Sequence, residues 1–536
     1  MLSATRRDTR AICTFTWLAT PPRDSNAVRP APGGVVAAGH SATADAAAAL
    51  LTAGGNAIDA VVAAAAASWV AEPCLTSAGG GGMLLMGDGA SWEAVDCFGM
   101  VPGTGLDAAR NLDFHEIAVD FGPVRQTFHV GRGSVAVPGL LAGLLDVHRR
   151  AGRAPLTDVL APAVHLARSG VALTEAIAFM LRIIEPIAQL TPGTRTLFGC
   201  HNGMPGTGTV LTNPDLAGFL EALGHDDAQA IGDLWVPGLL QTFGPDQGGR
   251  LTSADLRAWA PVSRPARATP FANGVAFTMP PPVSGGDIVA VGLRAADRLG
   301  LPSKPRTDSS RWADIARCLA AQAAARGTHI TTLDDRTIDA WLSAVPGRES
   351  RVAGNTTHVS VMDGNGQFAA LTHSNGEGCG HVVQGLGVHL NNFLGEEDIN
   401  PLGFHIAPPG STLSTAMAPT AWVRGADVVV VGSGGSKRIR SAIAQVLIHI
   451  ASGDTPAAAI AAPRLHVEGS QLSYEAQGLP NEAEETLRAR WPNAVRFDEP
   501  SMFFGGVHAV GRSNHEPWAA ADGRRGAAVR FALTAQ

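Results

Sequence analysis

The chain has 536 residues and a mass of 55.1 kDa, long enough for one large core or roughly two to four ordinary domains. Its 45% hydrophobic content excludes a disordered chain, and its 63 glycines and 35 prolines follow no collagen-like period. With 40 basic against 47 acidic residues, a formal net charge of -7, a generally basic surface for nucleic acid is excluded.

Residues 1–33 are rich in Arg, Pro and Thr without any period and predict a disordered N-terminal arm. Arg6, Arg7 and Arg10 precede Ala11–Ala19, but Thr14 and Thr16 interrupt that segment and it lacks the apolar run of a signal peptide. The expectation is a cytoplasmic protein, periplasmic or secreted if the true start differs. A strand is expected at Gly34–Ala38, then an alanine-rich helix from Ser41 to Ala53 stopped by Gly54-Gly55, then a second from Ala57 to Trp69 ended by Pro73. The longest apolar stretch, Ala60–Ala71, is broken by Ser68 and is too short to span a bilayer. Gly79-Gly80-Gly81-Gly82 reads either as an anion-binding loop or as a place of close backbone approach, and Met83–Met86 as a buried strand after it.

Residues 138–245 read as largely helical, with Leu140, Leu141, Leu144 and Leu145 on one face. Pro280-Pro281-Pro282 and Ser284-Gly285-Gly286 mark a change from strand to helix, and the polar stretches 302–311 and 343–353 read as exposed connections. His358–Met362 alternates as a strand, Asp363-Gly364-Asn365-Gly366 is a turn, and Phe368–Ser374 is the return strand. Folding this hairpin brings residue 373 or 374 beside Thr356. Val428–Val431 is a buried strand running into Gly432-Ser433-Gly434-Gly435-Ser436, with a helix from about Ile439 to Ile450.

Several chemistries are excluded by pattern. The six cysteines, Cys13, Cys74, Cys97, Cys200, Cys318 and Cys379, form no C-x-x-C pair, so neither a zinc ribbon nor a thioredoxin motif is present. No Walker loop, H-E-x-x-H or G-x-S-x-G occurs. His358, His373, His381, His389 and His405 match no ligand spacing, and His358, alternating with valines, reads as a structural histidine. No metal or organic cofactor is implied.

What remains is a threonine at a strand start, beside the end of its hairpin partner, with a glycine loop downstream. Together with Gly54-Gly55-Asn56-Ala57-Ile58-Asp59-Ala60, Glu72-Pro73, Gly133–Gly139, Met279–Pro282, Thr356-Thr357-His358, Leu390-Asn391-Asn392 and Met417-Ala418-Pro419-Thr420, in that order, the chain resembles the gamma-glutamyltransferases of the N-terminal-nucleophile hydrolase superfamily over roughly residues 34–530. The resemblance implies a four-layer αββα sandwich and a precursor that cuts its own Asn355–Thr356 bond. The large-subunit portion would be 34–355 and the small-subunit portion 356–536, one αββα unit whose fragments stay associated. Thr356 would be the nucleophile, Gly434 and Gly435 the oxyanion donors, and Ser374 its hydrogen-bonding neighbour, with Thr372 as support.

The resemblance further implies a γ-glutamyl amide substrate such as glutathione, transferred to water or an amino acceptor. Glu396 is the candidate for the α-ammonium and Asn375 a second, although Glu396-Glu397-Asp398 equally reads as a solvated acidic turn. Ser414-Thr415 stand where the family has paired serines. The segment expected to hold a carboxylate-binding arginine, Asp96–Pro102, contains none, leaving Arg110, Arg125 and Arg132 unranked. That departure keeps two alternatives open: an acylase with a non-glutamyl acyl group, and a non-catalytic scaffold.

Overall fold

A computed structural model describes residues 32–107, 111–120, 125–328, 330–344 and 355–533. Residues 1–31 of the expected arm and 345–353 of the expected connection lie outside the described residues. The arm's expected boundary at 33 falls inside the first strand, which starts at Pro32.

Thirteen strands build the two sheets at the centre: β1 Pro32–Ala38, β2 Gly81–Gly87, β3 Trp92–Cys97, β4 Val262–Pro265, β5 Arg267–Phe271, β6 Gly274–Thr278, β7 Thr357–Asp363, β8 Phe368–Ser374, β9 Thr420–Arg424, β10 Asp427–Gly434, β11 Gly506–Ser513, β12 Glu516–Ala521 and β13 Ala528–Leu533. The first sheet runs β13-β1-β7-β8-β2-β3-β4 and the second β12-β11-β10-β9-β6-β5, antiparallel throughout.

The period-2 pattern of the strands sorts their side chains between layers. Val359 and Val361 of β7 join a core with Val36, Leu84 and Leu371. That core also holds Ala44–Leu51 of α1 (Ser41–Thr52), α2 (Ala57–Ala71), Leu140–Val147 of α3 (Leu140–Ala151) and Val159–Ala167 of α4 (Leu156–Ser169). Met362, Met83, Leu85 and Ala370 point the other way and meet Ala421, Val428, Val430 and Val510 of the second sheet. The outer face of that sheet, with Trp422, Val429 and Val431, packs on α5 (Ser284–Arg298), α6 (Ser310–Ala325) and α7 (Ile439–Ala451). The layers are therefore α, β, β, α, the sandwich the sequence resemblance implied.

Helix α2 is buried along its whole length. Its alanines permit close packing on every side, and Asn56 and Asp59 close its first turn as a reciprocal cap. The glycine run resolves as close approach rather than as a loop. Gly81 and Gly82 begin β2, and a Cβ on Gly80 would stand 2.2 Å from the Ser374 carbonyl. The Gly432–Ser436 loop is likewise shorter than its sequence suggests, because β10 runs on through Gly434. Among the described residues, no helix is long and apolar enough to cross a membrane.

Candidate active site

The site grows from the β7–β8 hairpin. Asp363 anchors its turn, accepting from the amides of Asn365 and Gln367, and Thr357 pairs with His373. That register places Ser374, not His373, beside Thr356. The Ser374 hydroxyl donates to the carbonyl of Asn355 and accepts from the Gly376 amide at 2.8 Å. Thr356 is buried, 6% exposed.

The two residues after Thr356 are tied elsewhere. Thr357 donates to Glu72 Oε2 at 2.7 Å, and Thr43 donates to Glu72 Oε1 at 2.7 Å, which explains the buried Glu72 of the Glu72-Pro73 motif. His358 has both ring nitrogens partnered, by Thr372 Oγ1 and Ser360 Oγ at 2.8 Å each. Burial keeps it neutral well below its ordinary pKa, so it is the structural histidine its strand position suggested. Thr372, expected as support behind Ser374, is bonded to His358. The other histidines are dispersed: His373 meets Thr76, His389 accepts from Gly380, and His381 faces Asp113.

The end of β10 closes over Thr356. A Cβ on Gly434 would lie 2.1 Å from the Thr356 carbonyl oxygen, so no side chain fits there. Gly435 has φ 114°, a backbone that favours glycine, and turns the chain into α7.

Asn355, Thr356, Ser374 and Gly376 line a cavity of about 1030 Å³. Glu396, Asp398, Ser414 and Thr415 line it as well, as do Arg326, Lys437 and Arg440. Glu396 is buried, 7% exposed, with Oε1 unpartnered; burial, reinforced by the charges of Asp398 and Glu377, raises its carboxyl well above the usual range. This corrects the solvated-turn alternative at Glu396, whereas Glu397 is exposed.

Asn375 is placed differently from expectation. It is buried with both amide atoms unpartnered, and its neighbour Gly376 lines the cavity instead. Ser414 is exposed and shares a hydrogen bond with Ser284 at 3.1 Å, while Thr415 Oγ1 accepts from the Met417 amide. The two thus join the Pro282–Gly286 turn to the cavity rim.

No arginine stands at Asp96–Pro102. Phe98 lines the cavity there, stacked on Phe393 with centroids 4.4 Å apart. Arg132 is engaged by Asp113 at 2.9 Å. Arg110 lies outside the described residues, and so does the side chain of Arg125. The cavity's cations come instead from α7 and its approach, Lys437 and Arg440, and from the end of α6, Arg326.

Sequence reasoning missed Glu377. This buried carboxyl group accepts from the Asn355 amide and side chain at 3.2 and 2.5 Å. Asn391 and Asn392 hold the surrounding turns. Asn391 spans Gly79 and Ala136, and Asn392 Oδ1 accepts from the amides of Glu377 and Gly378.

A family model described as Gamma-glutamyltranspeptidase matches residues 43–345 and 319–532. The chain belongs to this family. It is 29% identical over 421 residues to the glutathione hydrolase proenzyme of Pseudomonas aeruginosa, covering 71% of this chain and 74% of that protein. It is 27% identical over 411 residues to the acylase ACY 1 proenzyme of Pseudomonas sp. (strain V22), covering 71% and 72%. Among solved structures, the cephalosporin acylase from Bacillus halodurans superposes with a TM-score of 0.77 over 97% of this chain and 99% of that one, at 20% identity. The fold is thus that of the family, and a hydrolase or acyltransferase of the N-terminal-nucleophile type is its activity class.

Proposed function

We propose that the chain cuts itself between Asn355 and Thr356, and that Thr356 then serves as nucleophile toward a γ-glutamyl amide such as glutathione. The observation that carries this reading is the grip on one peptide at a cavity wall: Ser374 donates to the Asn355 carbonyl, and the next residue, Thr356, sits under Gly434. The Thr356 hydroxyl attacks the Asn355 carbonyl carbon, and the acyl group passes from nitrogen to oxygen. Water then cleaves the ester, leaving a free α-amine that takes the hydroxyl proton in later turnovers. Gly434 and Gly435 supply N–H groups to the oxyanion, each worth about 3 kcal/mol in the transition state. The curated relatives named above are called proenzymes, which supports the cut.

The portions 34–355 and 356–536 stay together after it, since β1 is hydrogen-bonded on both sides, to β7 and to β13. Glu396 accepts the α-ammonium of the glutamyl group, and Lys437, Arg440 and Arg326 offer cations to its α-carboxylate. Water or an amino acceptor takes the acyl group. One observation favours a second reading, an acylase with a non-glutamyl acyl group: the Phe98–Phe393 stack occupies the place of the missing arginine.

Intact masses of the wild type beside Thr356→Ala test the nucleophile. Two fragments meeting at Thr356 are expected, absent from the variant; a single uncut chain in both overturns the reading. Turnover of γ-glutamyl anilide against glutaryl anilide, which lacks only the α-amine, separates the two substrates. A preference for glutaryl establishes the acylase.

A further inference from the structure

Glu377 has no part in the chemistry assigned above, yet it is 1% exposed and spends both oxygens on a single residue. Oε1 accepts from the Asn355 amide at 3.2 Å and Oε2 from Asn355 Nδ2 at 2.5 Å. The carboxylate is itself fixed. Its own amide and that of Gly378 donate to Asn392 Oδ1 at 2.9 and 3.2 Å. On its other side, Gly376 (φ 66°) leaves no room for a Cβ, which would lie 2.1 Å from Glu396 Oε1. The turn is thus tied to Asn392, and it sets both carboxyl oxygens of Glu377 against two N–H donors of the residue whose carbonyl Thr356 would attack.

Resting on the reading that this bond is cut, we propose that Glu377 is the positioning residue of the cut, and that it selects asparagine at position 355. A peptide can rotate about a single hydrogen bond. Two bonds from Glu377 and a third from Ser374 to the carbonyl fix Asn355 on three sides, so that the carbonyl carbon is held still for the hydroxyl of the next residue. In the step itself the Thr356 oxygen bonds to that carbon, the Asn355–Thr356 C–N bond breaks, and the hydroxyl proton goes to the departing nitrogen. Water then splits the ester into the Asn355 carboxylic acid and the restored hydroxyl. Glu377 gives and takes no proton in this sequence; it aims the carbonyl. An aspartate at 355 removes the Nδ2 donor and sets a second carboxyl against that of Glu377, a pair that can meet only by holding a proton between them.

The test is a time course of the cut in full-length chain made by cell-free synthesis, followed by intact mass. Asn355→Asp and Glu377→Gln should each slow the cut by about tenfold or more, the effect of leaving a buried polar group unmatched. The double variant N355D/E377Q restores a donor facing an acceptor with the roles exchanged, and should cut faster than either single variant. A fold defect would not be repaired by a second substitution. Asn355→Asp cutting at the wild-type rate, or a double variant no faster than the slower single one, overturns the positioning role and leaves the Thr356 nucleophile standing. A wild-type chain that never cuts overturns the proposed function instead.

Discussion

Replacing Gly434 by alanine should remove most of the turnover while leaving substrate affinity nearly intact. The added Cβ would sit 2.1 Å from the Thr356 carbonyl oxygen and 3.0 Å from its carbon, where real Cβ contacts under 3.0 Å essentially never occur. The oxygen contact is thus about 1 Å short, and both partners are backbone, so no flexible side chain can absorb the clash. Nor can Gly434 retreat freely, because it is paired with Gly506 of β11. Relief must come from parting β10 and the start of β7 by about 1 Å. That is enough to draw the Gly434 amide away from an oxyanion on Thr356. Loss of one such donor costs about 10²- to 10³-fold in kcat. KM should move only a few-fold, because the interaction is made in the transition state. The assay is steady-state release of anilide, normalised to the fraction of chain cut. Gly218→Ala is the control: nothing lies within 4 Å of its added Cβ, and the site is a helix interior. It should leave kcat unchanged and raise stability by up to about 1 kcal/mol. A Gly434→Ala protein that turns over within about threefold of wild type, per cut molecule, refutes the assignment of this amide to the oxyanion.

Glu396→Gln should cut kcat/KM for γ-glutamyl anilide by about 10- to 100-fold, the range of a charge-assisted hydrogen bond, yet leave glutaryl anilide within a few-fold; equal losses on both would remove Glu396 from ammonium recognition. Glu72→Ala strands the hydroxyls of Thr43 and Thr357 in the core and should lower stability by about 3 kcal/mol, read by denaturant unfolding of the uncut Thr356→Ala protein. An unchanged midpoint would mean that the two threonines find other partners. The same uncut protein should lose stability as pH falls from about 6.5. Burial holds His373 and His389 at about 3, His405 and His508 at about 4, and His358 and His466 well below their ordinary value. The unfolded chain therefore takes up protons near 6.5 that the folded chain refuses. Glu377, pushed up to about 8 mainly by burial, and Glu396 act in the opposite sense, with stability lost as pH rises through their folded values. Six histidines outweigh two carboxyls, so a midpoint that is flat or higher at pH 4.5 would contradict these burial effects.

How far the site was legible depended on sequence distance. The β7–β8 hairpin carries most of its own register: the alternation from His358 to Met362 and the Asp363–Gly366 turn bring residue 373 or 374 beside Thr356, and the strand pairing selects Ser374. The strand at Val428–Val431 was visible as an apolar run meeting glycines, but its continuation through Gly434 was not, because that part is held by pairing with the distant β11. Glu377 was not visible, because its meaning lies in a bond to a residue 22 positions earlier. Glu396 was ambiguous because acidic runs are ordinarily solvated. The fold buries the first member of the run at the cavity and leaves Glu397 exposed, a difference that no local pattern encodes. Lys437, Arg440 and Arg326 reach the cavity from two helices of the other layer, a meeting that no local pattern encodes.

The same contrast explains why the resemblance was carried by scattered short motifs. Asn391 binds Gly79 and Ala136, Asn392 binds Glu377 and Gly378, Glu72 binds Thr43 and Thr357, and Gly80 admits the Ser374 carbonyl. Each is a buried polar group, or a missing side chain, serving a backbone far away in sequence. Such positions tolerate few residue types, because an unmatched buried donor or acceptor costs about 1–3 kcal/mol and a clash of backbone with Cβ cannot relax. The cavity walls obey no such constraint, and there Phe98 stands on Phe393 in place of the expected arginine. On the proposed reading, the cut and the Thr356 nucleophile depend on this skeleton of buried bonds, whereas acyl specificity depends on wall residues that can change one at a time. In this chain the two should therefore respond separately. Substitution at Phe98 should redistribute turnover between γ-glutamyl and glutaryl anilides without slowing the cut at Thr356. A Phe98→Ala chain that fails to mature would show instead that wall and skeleton are one unit.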